Sequence, residues 1–294
     1  LPRPPLVQDI QVSTGPGSPV DITLVGSDDG QPLPMVYVID DLPLHDLRDL
    51  STGELIAIVP HVIASTDGPH LRYEPLPGWE GSTSFAYHAD DGGSPPEGGP
   101  SNDALVSITV ASGPRLIRGW DMSSNPDWSL DAGWGFGQPQ GAGGDPFEGA
   151  TGSNVIGYEL GGQYGNNLPE RHATSPSIDC SKSTGTTLRF QRWLGVESAS
   201  YDHAYVRVSV DGGSNWSTIW SHEEGSFSDT SWQAMEYDIS GIADGRSDVR
   251  IRFTMGTTDG SVTYCGWNVD DVEIFGVIPN EGIPGDLNGD GQVN

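Results

Sequence analysis

Short alternating apolar runs, each closed by a cluster of Asp, Gly or Pro, constrain this chain more than any other feature. The first third contains seven: Gln8–Val12, Val20–Val25, Met35–Ile39, Leu55–Val59, Leu71–Pro75, Ser84–His88 and Ala104–Val110. Between them lie Ser27-Asp28-Asp29-Gly30, Thr66-Asp67-Gly68-Pro69 and Asp90-Asp91-Gly92-Gly93. Such clusters supply the positive φ values and Asx turns that strand reversals require. With 41 Gly and 23 Pro in 294 residues, helices of ordinary length are broken, so the expectation is an all-β chain with almost no helix.

The same alternation resumes after Ser112-Gly113-Pro114, at Asn154–Leu160, Thr187–Trp193, His203–Val210, Ser217–Ser221, Gln233–Asp238, Val249–Met255 and Trp267–Phe275. It is clearest in Tyr205-Val206-Arg207-Val208-Ser209-Val210, where apolar and polar side chains take opposite faces. Three regions are therefore expected: a sandwich over 1–112, a larger β-domain over 113–278, and a tail over 279–294. Nine tryptophans provide core bulk.

Charge narrows the partners. Forty-one acidic residues against 13 basic ones leave a formal net charge of −28, so phosphate backbones and anionic membrane surfaces are repelled. No apolar run approaches the roughly 20 residues that span a bilayer. The chain opens at Leu1 on a proline-rich segment without a basic and apolar leader, and is expected to be a mature or excised piece of a secreted or cell-surface protein. Cys180 and Cys265 show no CxxC spacing; in an extracellular setting they are expected to form one disulfide, the alternative being two buried thiols.

Catalytic constellations are not evident: there is no G-x-S-x-G, H-E-x-x-H, P-loop or CxxC motif, and the seven histidines lack metal spacing. A glycosidase carboxylate pair leaves no spacing signal among 41 acids, so that possibility stays open. The expectation is a non-catalytic chain.

Three resemblances add to this. Pro19-Val20-Asp21-Ile22-Thr23-Leu24, Tyr73 to Gly81, Ser84 to Gly93 and Ala104 to Val110 together resemble bacterial Ig/cadherin-like repeats, which implies a spacer or adhesive role. The hairpin Val208-Ser209-Val210-Asp211-Gly212-Gly213-Ser214-Asn215-Trp216 and the closing strand Gly266-Trp267-Asn268-Val269-Asp270-Asp271-Val272-Glu273-Ile274 resemble MAM-like and metallopeptidase C-terminal jelly rolls. That resemblance implies partner or glycan binding and a structural calcium. Gly285-Asp286-Leu287-Asn288-Gly289-Asp290-Gly291-Gln292-Val293-Asn294 resembles the opening of a type I dockerin repeat, a truncated EF-hand-like loop.

Calcium is the expected cofactor, because carboxylates concentrate in turns and a hard cation with 6–8 oxygen ligands offsets their repulsion. In the tail the ligands are Asp286, Asn288 and Asp290 with the Gln292 carbonyl, although the acid at loop position 12 is lacking. In the second domain they are Asp270 and Asp271, with Asp145 and Glu159 added by analogy with jelly rolls. Strand alternation sends Asp270 and Asp271 to opposite faces, so one joins a given site, and Asp271 is favoured. Asp28/Asp29 and Asp90/Asp91 are further candidates; for each of these acids, capping a turn is the competing role.

A sugar platform is sought in the Gly-rich aromatic loops, at Trp128, Trp134, Phe136 and Tyr164, where rings stack on sugars unless they fill the core instead. Leu1 to Val12 is expected to be the domain's own first strand, with strand exchange between subunits as the alternative. The functional expectation is a calcium-stabilised extracellular adhesion or structural module of a larger secreted bacterial protein. Its partners would be other protein subunits, a cohesin-type protein through the tail, polysaccharide or further copies of itself. The alternative is a carbohydrate-binding accessory module of a dockerin-bearing polysaccharide hydrolase or peptidase.

Overall fold

The computed structural model describes residues 2–63 and 70–279. The dockerin-like ligands Asp286, Asn288, Asp290 and Gln292 lie outside the described residues. The chain is nearly all β, in sandwich-like sheets, and its contacts separate a unit over Leu1–Gly113 from one over Pro114–Ile278.

The first domain contains β1 (Leu6–Val7), β2 (Ile10–Thr14), β3 (Val20–Ile22), β4 (Gly26–Ser27), β5 (Val36–Ile39), β6 (Asp46–Asp49), β7 (His61–Ile63), β8 (Leu71–Glu74), β9 (Gly81–Asp90) and β10 (Ala104–Val110). One sheet runs β2-β10-β9-β5-β7, a second β3-β8-β6, and β1 pairs β4. Period-2 alternation sends Phe85, Tyr87 and Ala89 of β9, and Ala104, Val106, Ile108 and Val110 of β10, into one core with Tyr73 and Leu71. The N-terminal segment is used inside its own domain, since Ile10–Thr14 pairs in parallel with Val106–Val110.

One expected strand is absent here and one strand without a sequence signal is present, for the same reason. Leu55–Val59 is not a strand: Leu55 makes a single bridge to Arg48, Leu55 and Ile58 face solvent, and Ile56 alone is buried. Asp46-Leu47-Arg48-Asp49, with one apolar residue, is a strand because β8 pairs with it and Glu74 accepts from Arg48 Nε at 2.9 Å. Pairing partners, rather than local apolar content, decide short strands.

The second domain contains β11 (Arg115–Trp120), β12 (Ser129–Leu130), β13 (Trp134–Gly137), β14 (Val155–Tyr158), β15 (Arg171–Thr174), β16 (Thr184–Val196), β17 (Ala204–Ser209), β18 (Ser217–Ser221), β19 (Phe227–Ser228), β20 (Gln233–Asp238), β21 (Arg250–Met255) and β22 (Gly266–Val277). One sheet orders β13-β14-β22-β16-β19, with β11 on β22 and β20 on β16; the other orders β12-β15-β21-β17-β18. Trp267, Val269, Val272 and Ile274 of β22, Leu188, Phe190 and Leu194 of β16, and Val206, Ile251 and Phe253 all join one core.

The expected disulfide is not formed: Cys180 and Cys265 are buried free thiols. Cys180 lies beside the start of β16, its carbonyl accepting from Ser183 Oγ at 3.0 Å, whereas a methyl on Gly195 near the far end would meet Cys265 Sγ at 2.7 Å. The intervening strand, at about 3.3 Å per residue, holds them roughly 30 Å apart or more, and a bridge needs Cα atoms within about 7 Å. Burial pushes both thiols up, Cys265 to about 12. Reductant is therefore expected to leave the melting temperature unchanged, and Ellman's reagent to find both thiols only after denaturation; a rapidly reacting native thiol would contradict this burial.

Candidate metal centre and aromatic surfaces

The closing strand β22 builds the candidate centre through a bulge. Gln191 pairs with Asp270 and Arg189 with Glu273, so between these pairs one residue of β16, Phe190, opposes two of β22, Asp271 and Val272, and the extra residue is Asp271 at φ 45°. The expectation that Asp270 and Asp271 part to opposite faces is thereby corrected. Both reach Thr151, whose N–H donates to Asp270 Oδ2 at 3.0 Å and whose hydroxyl donates to Asp271 Oδ1 at 2.7 Å. Burial separates the two: Asp270 is fully buried, and Asp271, the residue favoured from the sequence, is half-buried.

Two residues before Asp270, on the same strand face, Asn268 is also fully buried and donates from Nδ2 to Asp145 Oδ1 at 2.6 Å. The loop carrying Asp145 and Thr151 is tied to the outer side of β16 by Trp193 Nε1–H, which donates to the Gly144 carbonyl at 2.8 Å. Asp145 Oδ2 and Asn268 Oδ1 are buried with no hydrogen-bond partner. Such orphaned oxygens cost about 1–3 kcal/mol each unless something satisfies them.

Glycine lets the loop come this close. A methyl on Gly149 would lie 2.4 Å from Thr151 O, 2.6 Å from Asp270 Oδ2 and 3.0 Å from Asn154 O, and one on Gly157 would lie 2.6 Å from Asn268 Oδ1. The carboxylate, amide and carbonyl oxygens of Asp145, Asp270, Asn268, Thr151 and Asn154 lie on this loop and strand, and oxygen is the donor type a hard cation takes. Burial raises Asp145 to about 7, against the opposing Asn268 amide, and Asp270 to about 6, against the N–H groups of Thr151 and Asp271.

Glu159 is not brought to this centre. β14 pairs Gly157 with Asn268, and the chain then turns at Glu159, φ 51°, whose N–H donates to Gly133 O while its side chain is exposed. The acids of the first domain act as turn caps: Asp28 accepts from Gly30, Asp29 from Gln31, Asp90 from Gly92, and Asp91 from Gly93 and Gly99. Asn268 was missed by the sequence reading although alternation from Asp270 points to it; Thr151 carries no sequence signal.

The expected sugar platform is dismantled by burial. Trp128 is stacked on Phe253 at 6.0 Å and Trp134 meets Tyr158 edge-on at 5.6 Å, with its Nε1–H donating to Arg171 O. Tyr164 is fully buried, its hydroxyl donating to Asp202 Oδ2 at 2.6 Å, and Phe136 packs half-buried against the core. The Gly-rich stretch around Trp134 is strand β13, paired to β14, so alternation turns its tryptophan inward.

An open cleft of about 780 Å³ lies elsewhere, lined by Arg192, Trp220, His222, Glu223, Glu224 and Phe227. Arg192 sits 5.8 Å from the Trp220 ring and 5.3 Å from the Phe227 ring, held by a two-point pair with Asp229 at 3.0 and 3.1 Å. Where Ser51, Asp49 and His61 meet, the carboxylate stands between serine and imidazole, and so makes no nucleophile–base pair.

No protein-family model matches the chain, and no curated protein matches it. Among solved structures it is similar to the K1 cleaved adhesin domain of Lys-gingipain from Porphyromonas gingivalis W83, at 16% identity over 55% of this chain and 98% of that one, TM-score 0.37. The K3 cleaved adhesin domain of the same protein is 19% identical over 54% and 98%, TM-score 0.37. A carbohydrate-binding module of the β-sandwich superfamily is 10% identical over 92% and 98%, TM-score 0.36. Among the described residues no helix is long and apolar enough to cross a membrane.

Proposed function

We propose that this chain is a non-catalytic, calcium-stabilised adhesion module of a larger secreted protein. Calcium held by Asp145, Asn268, Asp270 and the carbonyls about Gly149 would lock the 138–154 loop onto the outer face of the β14-β22-β16 sheet. The observation that carries this reading is the pair of buried, partnerless oxygens, Asp145 Oδ2 and Asn268 Oδ1, beside a second buried carboxylate. An ion supplies what both oxygens lack and fixes a surface for a protein partner. The high negative charge keeps such a surface free of nonspecific association. Calorimetric titration with calcium chloride tests it: the loss of one bound calcium per chain in Asp270→Asn supports the reading, and an unchanged stoichiometry in that variant ends it.

A second reading, polysaccharide binding, is favoured by the cleft, where Trp220 and Phe227 offer ring faces beside Glu223, Glu224 and Arg192. Sugars are bound by this combination of aromatic faces and charged hydrogen-bonding groups. Affinity electrophoresis through a panel of plant and microbial polysaccharides is expected to show retardation that Trp220→Ala removes; no retardation on any of them would leave protein adhesion as the reading.

A further inference from the structure

We propose a second calcium site where Glu197, Asp202 and Asp259 converge in the second domain. Glu197 follows β16, Asp202 precedes β17, and Asp259 lies on the loop after β21. One carboxylate oxygen from each lies within 4.8 Å of the others, which fits inside a calcium sphere of about 4.6–5.2 Å across. Glu197 is 9% exposed, and its Oε2 is buried with no hydrogen-bond partner. Asp202 is fully buried and already oriented: the Tyr164 hydroxyl donates to Oδ2 at 2.6 Å and the Asp259 N–H donates to Oδ1 at 2.8 Å. The charges acting on Glu197 are those of Asp259 and Asp202, both of its own sign. Two further carboxylates thus lie against Glu197, whose Oε2 lacks a partner, and Asp259, partly exposed, leaves the side from which an ion would enter.

Calcium fits better than magnesium or zinc. The ligands are all carboxylates, two from the β16–β17 connection and one from the loop after β21, with no imidazole or thiolate in the set, and calcium tolerates irregular, oxygen-only spheres completed by water. The segment that carries the first ligand also holds the wall of the open cleft. The Glu197 carbonyl accepts from His222 Nε2 at 2.9 Å, Ser198 N–H donates to Ser226 Oγ at 3.0 Å, and Ala199 N–H donates to Glu224 O at 2.9 Å. An ion on Glu197 would therefore order residues 222–226. The site stands whether or not the Asp145–Asp270 centre binds calcium.

The test is titration of the whole chain with calcium alone by calorimetry, and with terbium read by tyrosine-sensitised luminescence, Tyr164 being one hydrogen bond from Asp202. Glu197→Gln and Asp259→Asn are each expected to lose one calcium and most of the luminescence, while Asp270→Asn keeps both signals of this site. Tyr164→Phe, which preserves packing, is expected to weaken this calcium by about 10–100-fold through loss of the group that orients Asp202. Near-UV dichroism confirms that each variant is folded, and Asp259→Asn, at a partly exposed position, serves if Glu197→Gln is not. If calcium stoichiometry and terbium luminescence in a folded Glu197→Gln or Asp259→Asn equal those of the parent, the site is refuted. Loss confined to Asp270→Asn would refute it too, and would uphold the first centre alone.

Discussion

In chelator, the second domain is expected to lose thermal stability as pH rises from about 4 to 7; in calcium, that loss is expected to disappear. Asp145 and Asp270 ionise near 3.8 when unfolded but are held at about 7 and about 6 in the fold by burial. Across that window the folded chain keeps protons that the unfolded chain has released, so stability is complete below the unfolded value and drains as pH climbs through the folded ones. Glu197, raised by burial and by its acidic neighbours, acts in the same direction. The loss from Asp145 and Asp270 is on the order of a few kcal/mol, or roughly 5–10 °C for a domain of this size. Calcium held as proposed would bind the ionised carboxylates, so its protection would grow over the same interval. Melting curves at pH 5, 6, 7 and 8 in calcium and in chelator decide the matter. A melting temperature that rises with pH in chelator would mean that these carboxylates are solvated and the cradle is not formed.

Replacing Trp267 by Ala is expected to cost about 3–5 kcal/mol, the range for deleting a large core aromatic. Trp267 is fully buried, donates from Nε1 to Thr254 O at 3.0 Å, and packs on Phe253 at 5.4 Å and Trp220 at 5.6 Å. The substitution therefore opens a cavity between the two sheets and strands the Thr254 carbonyl. Trp216, half-buried under Arg252 at 3.7 Å, serves as the control, with a loss of about 1 kcal/mol on truncation. Urea unfolding followed by far-UV dichroism measures both; equal losses would show that the core is not centred on Trp267.

The sequence by itself determined the class of fold. Glycine and proline density excluded long helices, and period-2 alternation located β9, β10, β17, β21 and β22 within a residue or a few, because each buries one face. It also drew attention to Asp145 and Asp270. Tertiary structure decided the rest. The bulge at Asp271, created by pairing with β16, brought two adjacent carboxylates to one loop, which no alternation rule allows. Trp128, Trp134 and Tyr164 could have lined a surface or filled a core, and the pairing of β13 with β14 and the packing on Phe253 put them inside. Cys180 and Cys265 were separated by the length of β16. Glu197, Asp202 and Asp259 carry no motif because their meeting joins the β16–β17 connection to the loop after β21, 57 residues further along the chain from Asp202. Local periodicity follows from backbone geometry shared by every strand, whereas the convergence of charge and burial depends on which strands lie side by side.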